Sequence, residues 1–149
     1  MKHPIHITIS MLAFCAFILN ACYKEKNPNE DNFEIVGRVP QVSELTPSTT
    51  TPTAGSTIEL TVKLSYVKTT VKELKFYQRI GTSGAYSFLK TEPFTPNFVP
   101  AERVHVVKYP YNVPNEPNKS FSLQVEAVTT DGLVSVRRTM TPPNVTIRP

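Results

Sequence analysis

Few side chains of this sequence could carry out catalysis together. Beyond residue 22 there is one histidine, His105, and there are two aspartates, Asp31 in a polar stretch and Asp131 in a tight-turn motif. A Ser-His-Asp triad needs an acid that orients the histidine, and neither aspartate lies in a segment suited to that role. We therefore interpret His105 as an exposed strand residue on the side opposite Val104 and Val106. The sequence predicts no catalytic residue.

Other forms of site chemistry find little support either. Paired carboxylates for glycoside hydrolysis could come from Glu59, Glu73, Glu102 or Glu126, but all four occupy polar-face positions or ends of predicted strands, where solvated charge is the ordinary interpretation. Five glycines form no glycine-rich phosphate loop. The motif at residues 130–132, Thr-Asp-Gly, lacks the further acidic ligands of a calcium site and favours a turn. No metal site and no cofactor is predicted.

Aromatic side chains are the better candidates for binding. Sugar-binding surfaces present flat aromatic faces, and four tyrosines are candidates for such a surface: Tyr77, Tyr86, Tyr109 and Tyr111. Packing within loops or incidental exposure is the alternative, and the absence of tryptophan removes the largest stacking platform. Tyr66, Phe76 and Phe121 are predicted to belong to the core.

The positive charge of the chain is mild and scattered. There are 16 Lys and Arg residues against 12 Asp and Glu residues, without the dense basic patch of a nucleic-acid-binding protein, so no nucleic-acid partner is predicted. Lys75, Arg79, Arg137 and Arg138 could form a basic strip if their strands are neighbours in one sheet. The alternative is that these charges protect outer strands from edge-to-edge aggregation.

The elements that must position these residues are strands. Ile58, Leu60, Val62 and Leu64 alternate with polar residues, and period-two alternation is typical of one buried face of a sheet. The pattern recurs around residues 74–77, 104–106 and 121–128. The Asp131-Gly132 pair predicts a hairpin to the run at 133–136, because glycine accepts a positive φ. Most prolines fall between these runs, where they are tolerated.

Short strands separated by turn signals favour an all-β fold. About seven strands over some 110 residues predict a two-sheet immunoglobulin-like sandwich. A proline-bounded first strand, a long alternating second strand and a last hairpin closed by Asp131-Gly132 resemble the Ig-like modules of bacterial surface lipoproteins, over residues 36–149. The buried tryptophan and the disulfide pair of antibody domains are absent, so the antibody subtype is not supported.

The amino-terminal segment reads as a leader. Lys2 precedes a nine-residue apolar run at 11–19, which is too short for a membrane span of about 20 residues. The sequence Leu19-Asn20-Ala21-Cys22 resembles the lipobox of bacterial lipoproteins, which implies cleavage before Cys22 and attachment of palmitate-type acyl chains to it. An ordinary secretory signal with an incidental cysteine is the alternative. With Cys15 removed and Cys22 lipidated, the domain has no cysteine for a disulfide or a thiolate metal site.

These features predict three segments: a signal peptide at 1–21, a lipidated Cys22 with a flexible tether at 22–35, and the sandwich at 36–149. The residues after Cys22 favour the outer membrane and leave open whether the domain faces the cell surface or the periplasm. We expect a non-catalytic display or accessory protein that is held in the membrane by lipid and contacts a surface polysaccharide or an outer-membrane protein. A small envelope hydrolase, or another enzyme, with an unrecognised site is the alternative.

Overall fold

The alternating runs fold into β-strands. The computed structural model describes residues 38–149, so the leader, Cys22 and the tether lie outside the described residues. Residues 38–149 form nine strands: β1 (Gln41–Pro47), β2 (Thr57–Ser65), β3 (Val71–Ile80), β4 (Ser87–Pro93), β5 (Phe98–Val99), β6 (Val104–Asn112), β7 (Ser120–Thr129), β8 (Arg138–Thr139) and β9 (Val145–Thr146). Over this range no helix is long and apolar enough to cross a membrane.

The strands pair into two antiparallel sheets. One has the order β1-β2-β6-β5, and the other has the order β4-β3-β7-β8, with β9 also paired to β7. In immunoglobulin lettering these are the ABED sheet and a CFG sheet extended by one strand. Because β8 and β9 pair with successive parts of β7, they are two pieces of one interrupted edge. The prediction of an all-β, two-sheet Ig-like sandwich is confirmed, although the additional strand β4 and the split edge bring the strand number above seven.

The core lies between the sheets and contains the residues that the alternation assigned to it. Each of these side chains is at most 7% exposed, and burying a large aliphatic or aromatic side chain contributes about 1.5–3 kcal/mol. The sandwich interior therefore comes directly from the period-two pattern. From β2, β3 and β7 the core receives Ile58, Leu60, Val62, Leu64, Leu74, Phe76, Phe121, Leu123, Val125 and Ala127.

The side chain of His105 lies on the core side of its sheet, and the prediction that it is exposed is wrong. It pairs with the fully buried Leu64, and directly opposed residues share a sheet face. Its ring stacks on Tyr66 at a centroid distance of 4.7 Å and contacts the edges of Phe94 and Phe98. Burial lowers the pKa of the imidazole. His105 thus completes an aromatic cluster at one end of the sandwich.

The turn after β7 forms as predicted, but the run that follows it is not a regular strand. Gly132 has a φ of 85°, and its N–H donates to the Thr129 carbonyl. Val134 forms one isolated bridge to Val128 and the Ser135 N–H donates to the Ala127 carbonyl, after which the chain leaves the ladder until β8. Val136 is 87% exposed as a result. This irregular segment places Arg137 over the outer surface of the five-stranded sheet.

Candidate functional site: the outer face of the five-stranded sheet

Arginine, tyrosine and other polar side chains that could bind a partner cluster on the outer face of the five-stranded sheet, here called the Arg–Tyr face. The register sets Lys75, Tyr77 and Arg79 of β3 opposite Glu126, Gln124 and Ser122 of β7, respectively. On the other side of β3, Tyr77 is paired with Phe88 of β4. These side chains point outward because their neighbours in β3 and β7 fill the core. The Arg–Tyr face comprises Lys75, Tyr77, Arg79, Tyr86, Phe88, Ser122, Gln124 and Glu126, with Arg137, Thr139 and Asn144 from the last edge.

Tyr77, Glu126 and Arg137 form a closed cluster on this face. The Tyr77 hydroxyl donates to Glu126 Oε1 at 2.6 Å, and Arg137 Nε donates to Glu126 Oε2 at 2.8 Å. The Arg137 guanidinium carbon lies 3.7 Å from the centroid of the Tyr77 ring, a cation–π contact. Each of the three side chains therefore holds the other two, and Tyr77 has one ring face covered.

The charges in this cluster stabilise one another. Burial alone raises the pKa of the Glu126 carboxyl, but the hydrogen bonds from Tyr77 and Arg137 and the positive charges of Arg137 and Lys75 lower it by more. The net pKa of Glu126 lies below its ordinary value. Burial and the contact with Glu126 raise the pKa of the Tyr77 hydroxyl. At neutral pH the cluster is thus a carboxylate that accepts from a neutral phenol and a guanidinium.

A second arginine–tyrosine pair lies at the other end of the face. The Arg79 guanidinium carbon is 4.8 Å from the centroid of the Tyr86 ring, and Arg79 Nη2 donates to Asn144 Oδ1 at 3.0 Å. The Tyr86 hydroxyl and Ser122 Oγ share a hydrogen bond of 2.7 Å. Unlike Arg137, Arg79 has no carboxylate within ion-pair distance among residues 38–149.

The four tyrosines predicted as ligand-binding residues separate into two pairs. Tyr77 and Tyr86 are half-buried on the Arg–Tyr face, whereas Tyr109 and Tyr111 are buried in the core. The expectation that Tyr109 and Tyr111 are accessible to a ligand is therefore wrong. The Tyr109 hydroxyl donates to the Pro93 carbonyl at 3.0 Å and so joins β6 of one sheet to β4 of the other. Burial raises the pKa of Tyr109 to about 12 and raises that of Tyr111 further.

Three of the four residues of the predicted basic strip share the Arg–Tyr face. Lys75 and Arg79 project from β3, and Arg137 lies over the same surface. Arg138 is different because it pairs with Val125, whose side chain is in the core, so it belongs to the opposite side of the sheet edge. There it lines an open groove with Val42 and neighbouring residues of the β1 entry.

All four candidate carboxylates form ion pairs, but Glu126 differs from the other three because it is largely buried. Glu59 pairs with Lys108 and Glu102 pairs with Lys63, both on the outer surface of the four-stranded sheet. Glu73 pairs with its neighbour Lys72. The prediction of Glu126 as a solvated strand residue is wrong, since its side chain is only 11% exposed. Within residues 38–149 no cluster of three or more His, Cys, Asp and Glu side chains could hold a metal ion.

Comparison with known proteins adds the following findings. No protein-family model matches the sequence, and no curated protein is significantly similar to it. Among solved structures, the PKD domain of an M14-like peptidase from the Thermoplasmatales archaeon SCGC AB-540-F20 is 13% identical, with a TM-score of 0.43, over 75% of this chain and 95% of that one. Astrotactin-2, a vertebrate-specific and perforin-like membrane protein involved in neuronal development, is 17% identical, with a TM-score of 0.47, over 70% of this chain and 22% of that one. The fold assignment rests on the strand order itself.

Proposed function

We propose that this protein is a non-catalytic binding module of the bacterial outer membrane, anchored by lipid on Cys22, that docks a protein partner on the Arg–Tyr face of its Ig-like domain. The lipobox at residues 19–22 supports the anchor. The observation that carries the docking surface is Phe88, which is 58% exposed beside the two arginine–tyrosine pairs. Tyrosine and arginine are the residue types that dominate the binding energy of protein interfaces.

The geometry favours a protein over a polysaccharide as the partner. A sugar ring stacks on a bare aromatic face, whereas Arg137 covers one face of the Tyr77 ring and Arg79 covers one face of the Tyr86 ring, which leaves Phe88 as the exposed aromatic ring of this surface. Both tyrosine hydroxyls are also engaged, in bonds to Glu126 and Ser122. Side chains held in this way are preorganised, so little rotamer entropy is lost when a partner covers them.

Photo-crosslinking in the bacterium that encodes the protein tests the docking surface. A benzophenone amino acid replaces Phe88 in one strain and Lys108 in the other, since both side chains are about equally exposed and Lys108 lies on the four-stranded sheet. We expect a discrete adduct of one envelope protein from position 88 and none from position 108. Equal adducts from both positions, or retention on envelope polysaccharide that Tyr86→Ala abolishes, would refute the proposal of a protein partner on this face.

The anchor and its location are tested separately. With an alkyne analogue of palmitate, we expect label on the wild-type protein and on Cys15→Ser, and none on Cys22→Ser. Label that persists in Cys22→Ser contradicts the proposed anchor. Protease treatment of intact cells, compared with cells whose outer membrane is permeabilised, then distinguishes a domain on the cell surface from one in the periplasm.

A further inference from the structure

Arg79 is held rigidly but lacks a counter-charge. The Tyr86 ring and the Asn144 amide fix its guanidinium, and Arg79 Nε is buried without a hydrogen-bond partner. Because Nε is shielded from solvent, a partner can reach the guanidinium only through its Nη groups, and the missing counter-charge is therefore what argues for an anion. By contrast, Arg137 on the same face has the Glu126 carboxylate.

Other hydrogen-bond donors surround Arg79. Tyr86 and Ser122 share one hydrogen bond, and Ser122 is fully buried, so only the half-buried Tyr86 hydroxyl can reach a partner; it is free to donate when Ser122 donates to it. Asn144 accepts from Arg79 through Oδ1, which leaves its NH₂ group as a donor. Together, Arg79, Tyr86 and Asn144 therefore present the Nη groups of a guanidinium, a hydroxyl and an amide, and there is no acidic side chain among them. This is the donor set that recognises a carboxylate, and arginine is the residue best suited to planar anions.

We propose that Arg79, Tyr86 and Asn144 form a receptor for one carboxylate of an acidic protein partner, with the buried Ser122 holding the Tyr86 hydroxyl in place. This inference rests on the proposed docking function of the Arg–Tyr face and specifies the chemistry of the partner. Phe88 follows Tyr86 by two residues on the same face, so an apolar contact lies beside the charged one. An exposed aromatic next to an unpaired arginine fits an Asp or Glu side chain flanked by apolar residues. A uronic-acid polysaccharide, whose carboxylate has the same chemistry, is an outcome of the test.

NMR of the ¹⁵N-labelled full-length chain in detergent micelles at low salt provides the test. The probe is acetyl-tetraglutamate amide, and the signal is the Nε–Hε resonance of Arg79, assigned with Arg79→Lys. We expect saturable shifts in the face, at least about tenfold weaker binding in Arg79→Lys and about threefold weaker binding in Tyr86→Phe, because a bidentate guanidinium contact and one hydroxyl contact are lost. Arg138→Lys is the matched control and should bind like the wild type.

Four results would contradict the receptor, the acidic protein partner or the docking function. Equal affinities of the wild type and Arg79→Lys for tetraglutamate refute the receptor. Binding of oligogalacturonate without binding of tetraglutamate refutes the acidic protein partner. A position-88 crosslink that persists at wild-type intensity in Arg79→Lys refutes the carboxylate contact but leaves the docking function intact, whereas tetraglutamate binding without any position-88 crosslink refutes the docking function instead.

Discussion

Replacing Glu126 by glutamine tests whether the closed cluster on the Arg–Tyr face stabilises the fold. The substitution keeps the size of the side chain and removes its charge. Only one carbonyl oxygen then remains to accept from Tyr77 and Arg137, so one of two short charge-assisted bonds is lost. A hydrogen bond to a charged group contributes about 1.5–3 kcal/mol to stability. Because Arg137 is 44% exposed and water replaces part of its contact, we expect the lower end, about 1.5 kcal/mol.

Urea unfolding at pH 7 measures this loss, and Glu116→Gln is the control. Glu116 forms a surface pair with Lys119 in which both side chains are well exposed, and such pairs contribute at most about 1 kcal/mol. For a domain of this size, 1.5 kcal/mol corresponds to a melting temperature lower by roughly 6 °C. Equal effects of the two substitutions would show that the cluster is no more than a surface ion pair.

The pH dependence gives an independent check on the same cluster. The folded-state pKa of Glu126 is depressed, so the carboxylate stabilises the fold above the unfolded-state value of 4.5, and this stabilisation is lost as the pH falls through the folded-state pKa. We therefore expect the difference between the wild type and Glu126→Gln to be constant near neutrality and to shrink in acid. A difference that stays constant down to pH 2 would refute the electrostatic explanation.

Three further substitutions probe the core, with urea unfolding as the measurement. Tyr109→Phe removes the hydrogen bond to the Pro93 carbonyl and should cost about 1 kcal/mol, and no loss would contradict the role of that bond in joining the sheets. Tyr111→Phe removes a buried hydroxyl that has no partner, so we expect unchanged or slightly higher stability, and a loss above about 1 kcal/mol would reveal a missed partner. The lowered pKa of His105 means that the unfolded chain takes up a proton first as the pH falls below about 6.5. The wild type should lose stability there and His105→Phe should not; parallel pH curves would contradict this.

The sequence pattern predicted the sandwich well because most strands are covered on one side only. Alternation therefore identified the core-facing side of β2 and of β7 residue by residue, although β7 is also largely buried on its outer side. In β6 the alternation was recognised only at residues 104–106, and it was not followed to Tyr109 and Tyr111 on either side of Pro110. Pro110 lies within the strand, opposite Glu59 and beyond the short edge strand β5. Proline is tolerated at residue 110 because no strand pairs with the free side of β6 there, so the missing N–H breaks no hydrogen bond between strands.

The sites that the sequence failed to predict depend on contacts between distant parts of the chain. Glu126 occupies a polar position of an alternating strand, and nothing local distinguishes it from a solvated residue. It is buried because the chain returns after the turn and places Arg137 over it, 11 residues later. The position of that return depends on the interrupted edge at β8 and β9, which periodicity does not encode. Likewise, the pairing of Arg79 with Tyr86 follows from the β3–β4 register.

The two outer faces of the sandwich differ in how their charges are satisfied, and this difference supports the proposal that a partner docks on the Arg–Tyr face. On the four-stranded sheet, Lys63 contacts both Glu44 and Glu102, and Lys108 contacts Glu59, so the charges are paired and exposed. The charges of this surface already neutralise one another, and a partner that covered it would have to desolvate each ion pair. The Arg–Tyr face has its single acid committed to Arg137, and it retains Arg79 without a carboxylate. A partner that supplies a carboxylate to this face satisfies a group that the isolated domain leaves unpaired, and it does so without breaking an existing ion pair.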